Sequence, residues 1–212
     1  MAILTQGILG PVAGKTGPVV SYIRFGQNIT RSKGSVAKNR KETPGRKIQR
    51  EKIAVCNAFT RAFSGTGFFS RSFPAYGHTG SGYNRVTSSI MNLAITGTYP
   101  YTAIVWPNVL VSKGPLPSAL HPATAADADG NIYFSWTDNT GLGTAKADDK
   151  AVLVAFFPEL KQAVWSINTA HRSDCLAILP APAYKGYAAE TWMGFLSNDE
   201  RDAADSVYCG VV

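Results

Sequence analysis

Apolar residues recur along this chain at two different periods, and the change of period divides it. From Thr43 to Phe63 the repeat is helical: at 100° per residue Ile48, Val55, Phe59 and Ala62 fall on one face, with Arg46, Arg50, Asn57 and Arg61 opposite. Thr43 suits a helix cap and Pro44 the first helical position, where a missing N–H costs nothing. Gly65 and Gly67 set the end near Ser64-Gly65. A second, shorter helix fits residues 84–96, with Val86, Ile90, Leu93 and Ala94 on its buried side.

Elsewhere the alternation is strand-like. Val19 to Phe25 reads as a strand, Gly26-Gln27-Asn28 as a turn and Ile29 to Ser32 as the returning strand of a hairpin. Tyr101 to Lys113 reads as extended chain, with Pro107 pointing to an edge or bulge, and Gly114-Pro115-Leu116-Pro117 as a linker. Beyond it the pattern is all β. Asn131 to Thr137 alternates with Ile132, Phe134 and Trp136 on one face, and Ala151 to Phe157 is a continuous apolar run suited to a central strand. Ala163 to Ile167, Cys175 to Leu179, Ala188 to Phe195 and Ser206 to Val212 supply further strands. The expected fold is α+β, mainly β. A basic hairpin-and-helix region, residues 1–117, packs on an immunoglobulin- or fibronectin-like β-sandwich, residues 118–212.

Charge sharpens this division. Residues 1–85 carry 14 Lys/Arg against 2 Asp/Glu, a formal +12, whereas residues 86–212 carry 7 against 12, a formal −5. A basic front on a mildly acidic body implies an anionic partner, either nucleic acid or the acidic face of a protein. The basic candidates are Arg24, Arg31, Lys33, Lys38, Arg40, Lys41, Arg46, Lys47, Arg50 and Arg61; an acidic counter-surface is expected at Asp199, Glu200, Asp202 and Asp205. Phe68, Phe69, Phe73 and Tyr76 interleave with Arg71 and Arg85, an order that suits stacking on bases, packing, or a subunit interface.

The remaining motifs point away from catalysis. Gly14-Lys15-Thr16 resembles the end of a phosphate loop, but the required earlier glycine falls on Leu9. Asp127-Ala128-Asp129-Gly130-Asn131 looks like half a calcium loop, yet position 138, where the closing glutamate belongs, is Asp138, so a plain turn is expected. His171, Ser173, Asp174 and Cys175 are crowded on one extended segment, which sends neighbours to opposite faces and spoils a triad. Cys56, Cys175 and Cys209 are odd in number and widely spaced, against a disulfide framework or zinc site, and His78 has no second ligand nearby. No cofactor, metal or enzymatic activity is expected. Neither a signal peptide nor a membrane span is read in the sequence, which suits a cytoplasmic protein or an assembled particle.

One resemblance runs end to end. Gly10-Pro11, Gly14-Lys15, Arg31-Ser32-Lys33, Thr43-Pro44, Gln49-Arg50, Tyr83-Asn84, Gly97-Thr98-Tyr99-Pro100, Ser112-Lys113-Gly114, Trp136 with Asp138-Asn139, Asp149-Lys150, Arg172-Ser173 and Gly194-Phe195 together resemble a family of uncharacterised Bacteroidota proteins of unknown function. The Thr-Pro…Gln-Arg helix start also resembles segments of phage structural proteins. Arg46 and Ile53 depart from the family pattern, which has glutamine and phenylalanine there. The resemblance implies no activity.

Three functions are carried forward. The first is a structural or assembly subunit of a filament, virion or tail-like particle that sets its basic face against an acidic partner, its own copy or another structural protein. The second is a nucleic-acid-binding protein using the same cations. The third is a ligand- or glycan-binding sandwich with Trp136, Trp165 or Trp192 as platform, although a core role is expected for at least two of these.

Overall fold

The computed structural model describes residues 2–4, 12–24, 26–34, 42–77 and 80–212. The chain is mainly β, with several antiparallel sheets, and divides into two compact units, residues 1–43 and 44–212.

The first unit is a four-stranded antiparallel meander: β1 (Ala2–Leu4), β2 (Val12–Thr16), β3 (Val19–Arg24) and β4 (Gln27–Ser32), paired in sequence order. The expected hairpin is present with its turn earlier, because Arg24 pairs directly with Gln27 and Gly26 takes the left-handed conformation (φ 76°) that a two-residue turn demands.

The second unit is built in three layers. Helices α1 (Pro44–Thr60), α2 (Phe68–Ser72) and α3 (Gly82–Leu93) come first, α3 being capped by Ser81, whose Oγ accepts the Asn84 N–H at 3.3 Å. Two short strands, β5 (Ile95–Thr96) and β6 (Ala103–Ile104), pair after α3. The sandwich strands are β7 (Leu120–Ala126), β8 (Asn131–Thr137), β9 (Lys150–Phe157), β10 (Gln162–His171), β11 (Leu176–Pro180), β12 (Glu190–Leu196) and β13 (Val207–Val211). They form a three-stranded sheet, order β11-β8-β7, and a four-stranded sheet, order β10-β9-β12-β13.

Alternation along β9 explains the layering. Ala151, Leu153, Ala155 and Phe157 pack with Phe134 and Trp136 of β8 and Phe195 of β12, between the two sheets. Val152, Val154 and Phe156 face the other way, into a core with Phe59, Phe63, Phe68, Val86, Ile90 and Trp192. The run AVLVAFF is therefore apolar at every position because both its faces are covered. Phe59 is the hinge pin of the helical layer: its ring lies 4.9 Å from Phe156, 5.3 Å from Phe63 and 5.9 Å from both Trp106 and Trp192.

Several local expectations need correction. Leu93 is 53% exposed rather than buried, because α3 ends there and Ala94 takes the inward position. The 101–113 segment is not one extended strand: β6 is followed by a 3-10 turn at Trp106–Asn108, where Pro107 lacks the N–H a ladder needs. The boundary expected at 117/118 falls inside a compact unit. There Leu116 N–H bonds Ala203 O (3.0 Å), Ser118 Oγ bonds Asp205 O (2.8 Å), and the helices share their core with β9 and β12.

Candidate interaction surfaces

Register fixes which residues of the meander share a face. Lys15 pairs with Val20 and Val20 with Arg31, while Tyr22 pairs with Ile29 and Arg24 with Gln27. Since side chains alternate along each strand, Ala13, Lys15, Val20, Tyr22, Arg24, Gln27, Ile29 and Arg31 lie on one face. Val12, Gly14, Thr16, Val19, Ser21, Ile23, Asn28, Thr30 and Ser32 lie on the other. Two contacts agree with this assignment: the Arg31 guanidinium sits 5.6 Å over the Tyr22 ring, and the Ser21 and Thr30 hydroxyls are 3.0 Å apart. Every strand cation here, Lys15, Arg24 and Arg31, is exposed and on the tyrosine face. Lys33 follows β4, exposed, with its N–H on Pro18 O. Lys38, Arg40 and Lys41, like His78, lie outside the described residues.

On α1 the amphipathic reading holds for the cations. Arg46, Lys47 and Arg50, with Arg61 in the 3-10 turn that follows the helix, are exposed, while Cys56 and Phe59 are buried. Asn57 is the exception: its Oδ1 accepts the Tyr83 O–H at 2.9 Å, because α3 packs along that side.

The aromatic segment is not a contact loop. Phe68, Phe69 and Phe73 are buried, stacking near Phe63 (5.0 Å from Phe68, 4.8 Å from Phe69), with Phe68 also 5.0 Å from Trp165. Helix α2 turns them inward and leaves Arg71 outside. Tyr76 is exposed, yet its hydroxyl accepts the Ala203 N–H at 2.9 Å. The interleaved arginines tie the fold together rather than clamp bases: Arg85 donates to Gly80 O (2.7 Å) and Phe73 O (3.0 Å), and Arg71 forks onto Glu200 at 2.7 and 2.6 Å.

That fork removes Glu200 from the expected acidic counter-surface. Its carboxylate also takes Lys150 Nζ at 2.9 Å, and the Arg71 and Lys150 hydrogen bonds pull its pKa down to about 2. Asp205 accepts the Gly114 N–H (3.0 Å) and is half-buried, as is Asp202, while Asp199 remains exposed, bonded to Ser197 Oγ at 2.7 Å. A carboxyl whose folded pKa lies below its unfolded value stabilises above the unfolded value and loses that contribution as pH falls through the folded one. The stability gap between the native protein and Glu200→Gln is therefore expected to be constant above about pH 5 and to shrink toward about pH 2. Urea midpoints across that range measure it, and a pH-independent gap would refute the pairing.

The most elaborate polar cluster is one the alternation argument does not reveal. Residues 172–174 form a 3-10 turn rather than strand, and Cys175 is left-handed (φ 58°), so Arg172 swings fully into the core. Its Nε donates to Asp149 Oδ2 (3.0 Å), its Nη1 to Asn139 Oδ1 (2.6 Å) and its Nη2 to Pro117 O (3.1 Å). The guanidinium carbon lies 3.8 Å from the centre of the Phe195 ring, and Trp136 Nε1 donates to Arg172 O at 2.7 Å. Burial pulls the Arg172 pKa down and the Asp149 carboxylate counters it. Trp136, Asn139, Asp149 and Arg172 are all among the residues that carry the family resemblance. They meet in a strut joining β8, the 138–149 loop and the 172–174 turn, with no open side for a substrate.

Asp127 closes the turn read from DADGN: its carboxylate accepts the Asn131 side-chain amide and the Asn131 and Asp129 N–H groups, all at 2.8 Å, and these bonds, the Asn131 side chain's foremost, pull its pKa to about 2. A cavity of about 730 Å³ lies between Phe73, Pro74, Leu93, Lys113, Pro115 and Asp205. Among the described residues no three His, Cys, Asp or Glu side chains are grouped to hold a metal ion, and no helix is long and apolar enough to cross a membrane.

The family of unknown function DUF6266 matches the chain over residues 5–210. The chain belongs to that family. No curated protein and no solved structure matches it. The DUF6266 match spans both compact units, so meander, helices and sandwich are parts of one family architecture rather than a domain with an unrelated extension.

Proposed function

We propose that this DUF6266 member is a non-enzymatic assembly subunit, whose partner is a second copy of itself. The observation that carries this reading is the exposure of the meander's described side chains: among them only Ser21 is buried, and Ile23 is 54% exposed. A sheet needs an apolar face covered to be stable in water. Val12, Val19 and Ile23 on its uncharged face are the surface a neighbour would cover, and β4, which pairs only with β3 among the described strands, has an edge open to strand addition. A head-to-tail contact of this kind propagates when it does not close into a ring, which suits a filament or particle. We also assign the sandwich to the fibronectin-like type. Seven antiparallel strands in sheets of three and four, a buried Trp136 and no cysteine bridge support that assignment.

Light scattering over a concentration series at two salt levels tests the function. Oligomers that grow with concentration and dissociate with Ile23→Lys are expected; a monomer at every concentration overturns the reading.

A further inference from the structure

We infer that the tyrosine-bearing face of the amino-terminal sheet, Lys15, Arg24 and Arg31 around Tyr22, binds single-stranded nucleic acid. This goes beyond the assembly reading, which uses the opposite face and the β4 edge.

The charge distribution carries the argument. Residues 1–41 contain 7 Lys/Arg and no Asp or Glu. Here the register sends all three strand cations to one face and leaves the other, Val12 to Ser32, with none. A one-sided cationic sheet matches a polyanion that lies flat across it.

Geometry narrows the class. Strands are about 4.8 Å apart, so Lys15 and Arg31, two strands apart across Val20, are separated by about 10 Å. Tyr22 lies on the central strand between them, about 7 Å further along, and Arg24 continues the same line. A sugar–phosphate backbone running along the sheet thus meets cations on either side of an aromatic ring. The Arg31 guanidinium rests 5.6 Å from the centre of that ring, a cation–π contact that a stacking base would displace, freeing the guanidinium for a phosphate. A tyrosine standing on a sheet reaches the face of an unpaired base but not one stacked inside a duplex. An acidic protein face is the weaker match. Of the body's four carboxylates expected to provide one, Glu200 is held by Arg71 and Lys150, and Asp205 is half-buried on a backbone N–H.

Fluorescence anisotropy of a labelled 12-mer oligothymidylate against the full chain, over a salt series, tests this, with a duplex of equal length as comparison. We expect tighter binding to the single strand and an affinity that falls with salt. Lys15→Gln with Arg31→Gln should weaken binding at least tenfold and lower the salt slope by about 1.4, at about 0.7 per phosphate contact. Tyr22→Ala should weaken it roughly 5- to 150-fold with the slope unchanged. Asn28→Asp with Ser32→Glu changes net charge by the same amount from the opposite face, and should cost much less. Equal losses from the two double variants would mean that only net charge matters, and no binding at low salt would mean no site; either overturns the inference. Light scattering on the same samples separates the two readings. If Lys15→Gln with Arg31→Gln dissolves the oligomer and leaves oligonucleotide binding untouched, the face is a protein contact and the inference fails. If oligomers never form while the oligonucleotide binds as described, the assembly reading alone fails.

Discussion

Arg172→Ala is expected to cost about 3–5 kcal/mol of folding stability, the loss typical when one member of a buried ion pair is removed. The guanidinium is fully buried and its partner Asp149 almost so, with Asp149 Oδ2 also accepting the Lys146 N–H at 3.0 Å. Deleting the arginine strands a carboxylate in the core, together with Asn139 Oδ1 and Pro117 O, and empties space against the Phe195 ring. For a unit of this size the melting temperature should fall by roughly 6–20 °C. The double replacement Arg172→Met with Asp149→Leu separates causes. It removes both charges while keeping volume, so it should recover most of the loss. Urea unfolding of the three proteins decides the matter, and a cost under about 1 kcal/mol for Arg172→Ala would mean that the pair is not holding the 138–149 loop to the sheet.

Phe59→Ala should cost about 3–5 kcal/mol, because an aromatic ring leaves a cavity that its neighbours fill only in part. The more informative result is the shape of the transition. Phe59 belongs to α1, yet its ring meets Phe156 of β9 and Trp192 of β12. With one core shared between helices and sheet, residues 44–212 should unfold in a single step, and the substitution should move tryptophan fluorescence and far-ultraviolet circular dichroism together. Two separated transitions, with the sandwich left at its original midpoint, would restore a division near residue 117.

Much of this architecture is legible before any coordinates, for identifiable reasons. Asn131 to Thr137 alternates strictly and Ala151 to Phe157 is an unbroken apolar run, and the strands found there match within one residue. The start of α1 follows from Pro44, and its buried side from Phe59. What escapes is long-range. Nothing local in FFSRSF says whether three phenylalanines line a groove or fill a core; the answer depends on Phe63 and Trp165, the second nearly a hundred residues away in sequence. Arg172 is hidden for a related reason. Reading 171–175 as strand gives each side chain an alternating face, whereas a 3-10 turn ending in a left-handed cysteine sends the arginine inward. The acidic side chains near residue 200 are equally ambiguous in sequence, since only the fold brings Arg71 and Lys150 to Glu200. The cationic face of the meander lies between these cases. Its residues are evident from composition, but their sidedness requires the register.

The double burial of β9 also bears on how the family can diverge. A strand with water on one side has alternate positions where substitutions accumulate at little cost. Between Ala151 and Phe157 there are none, since odd residues meet one sheet and even residues meet the helices. Drift at either set is admissible only when a side chain in the facing layer changes volume in compensation. Related sequences should therefore show two independent sets of covarying sizes, one linking Leu153 to the three-stranded sheet and the other linking Val154 and Phe156 to the helical cover.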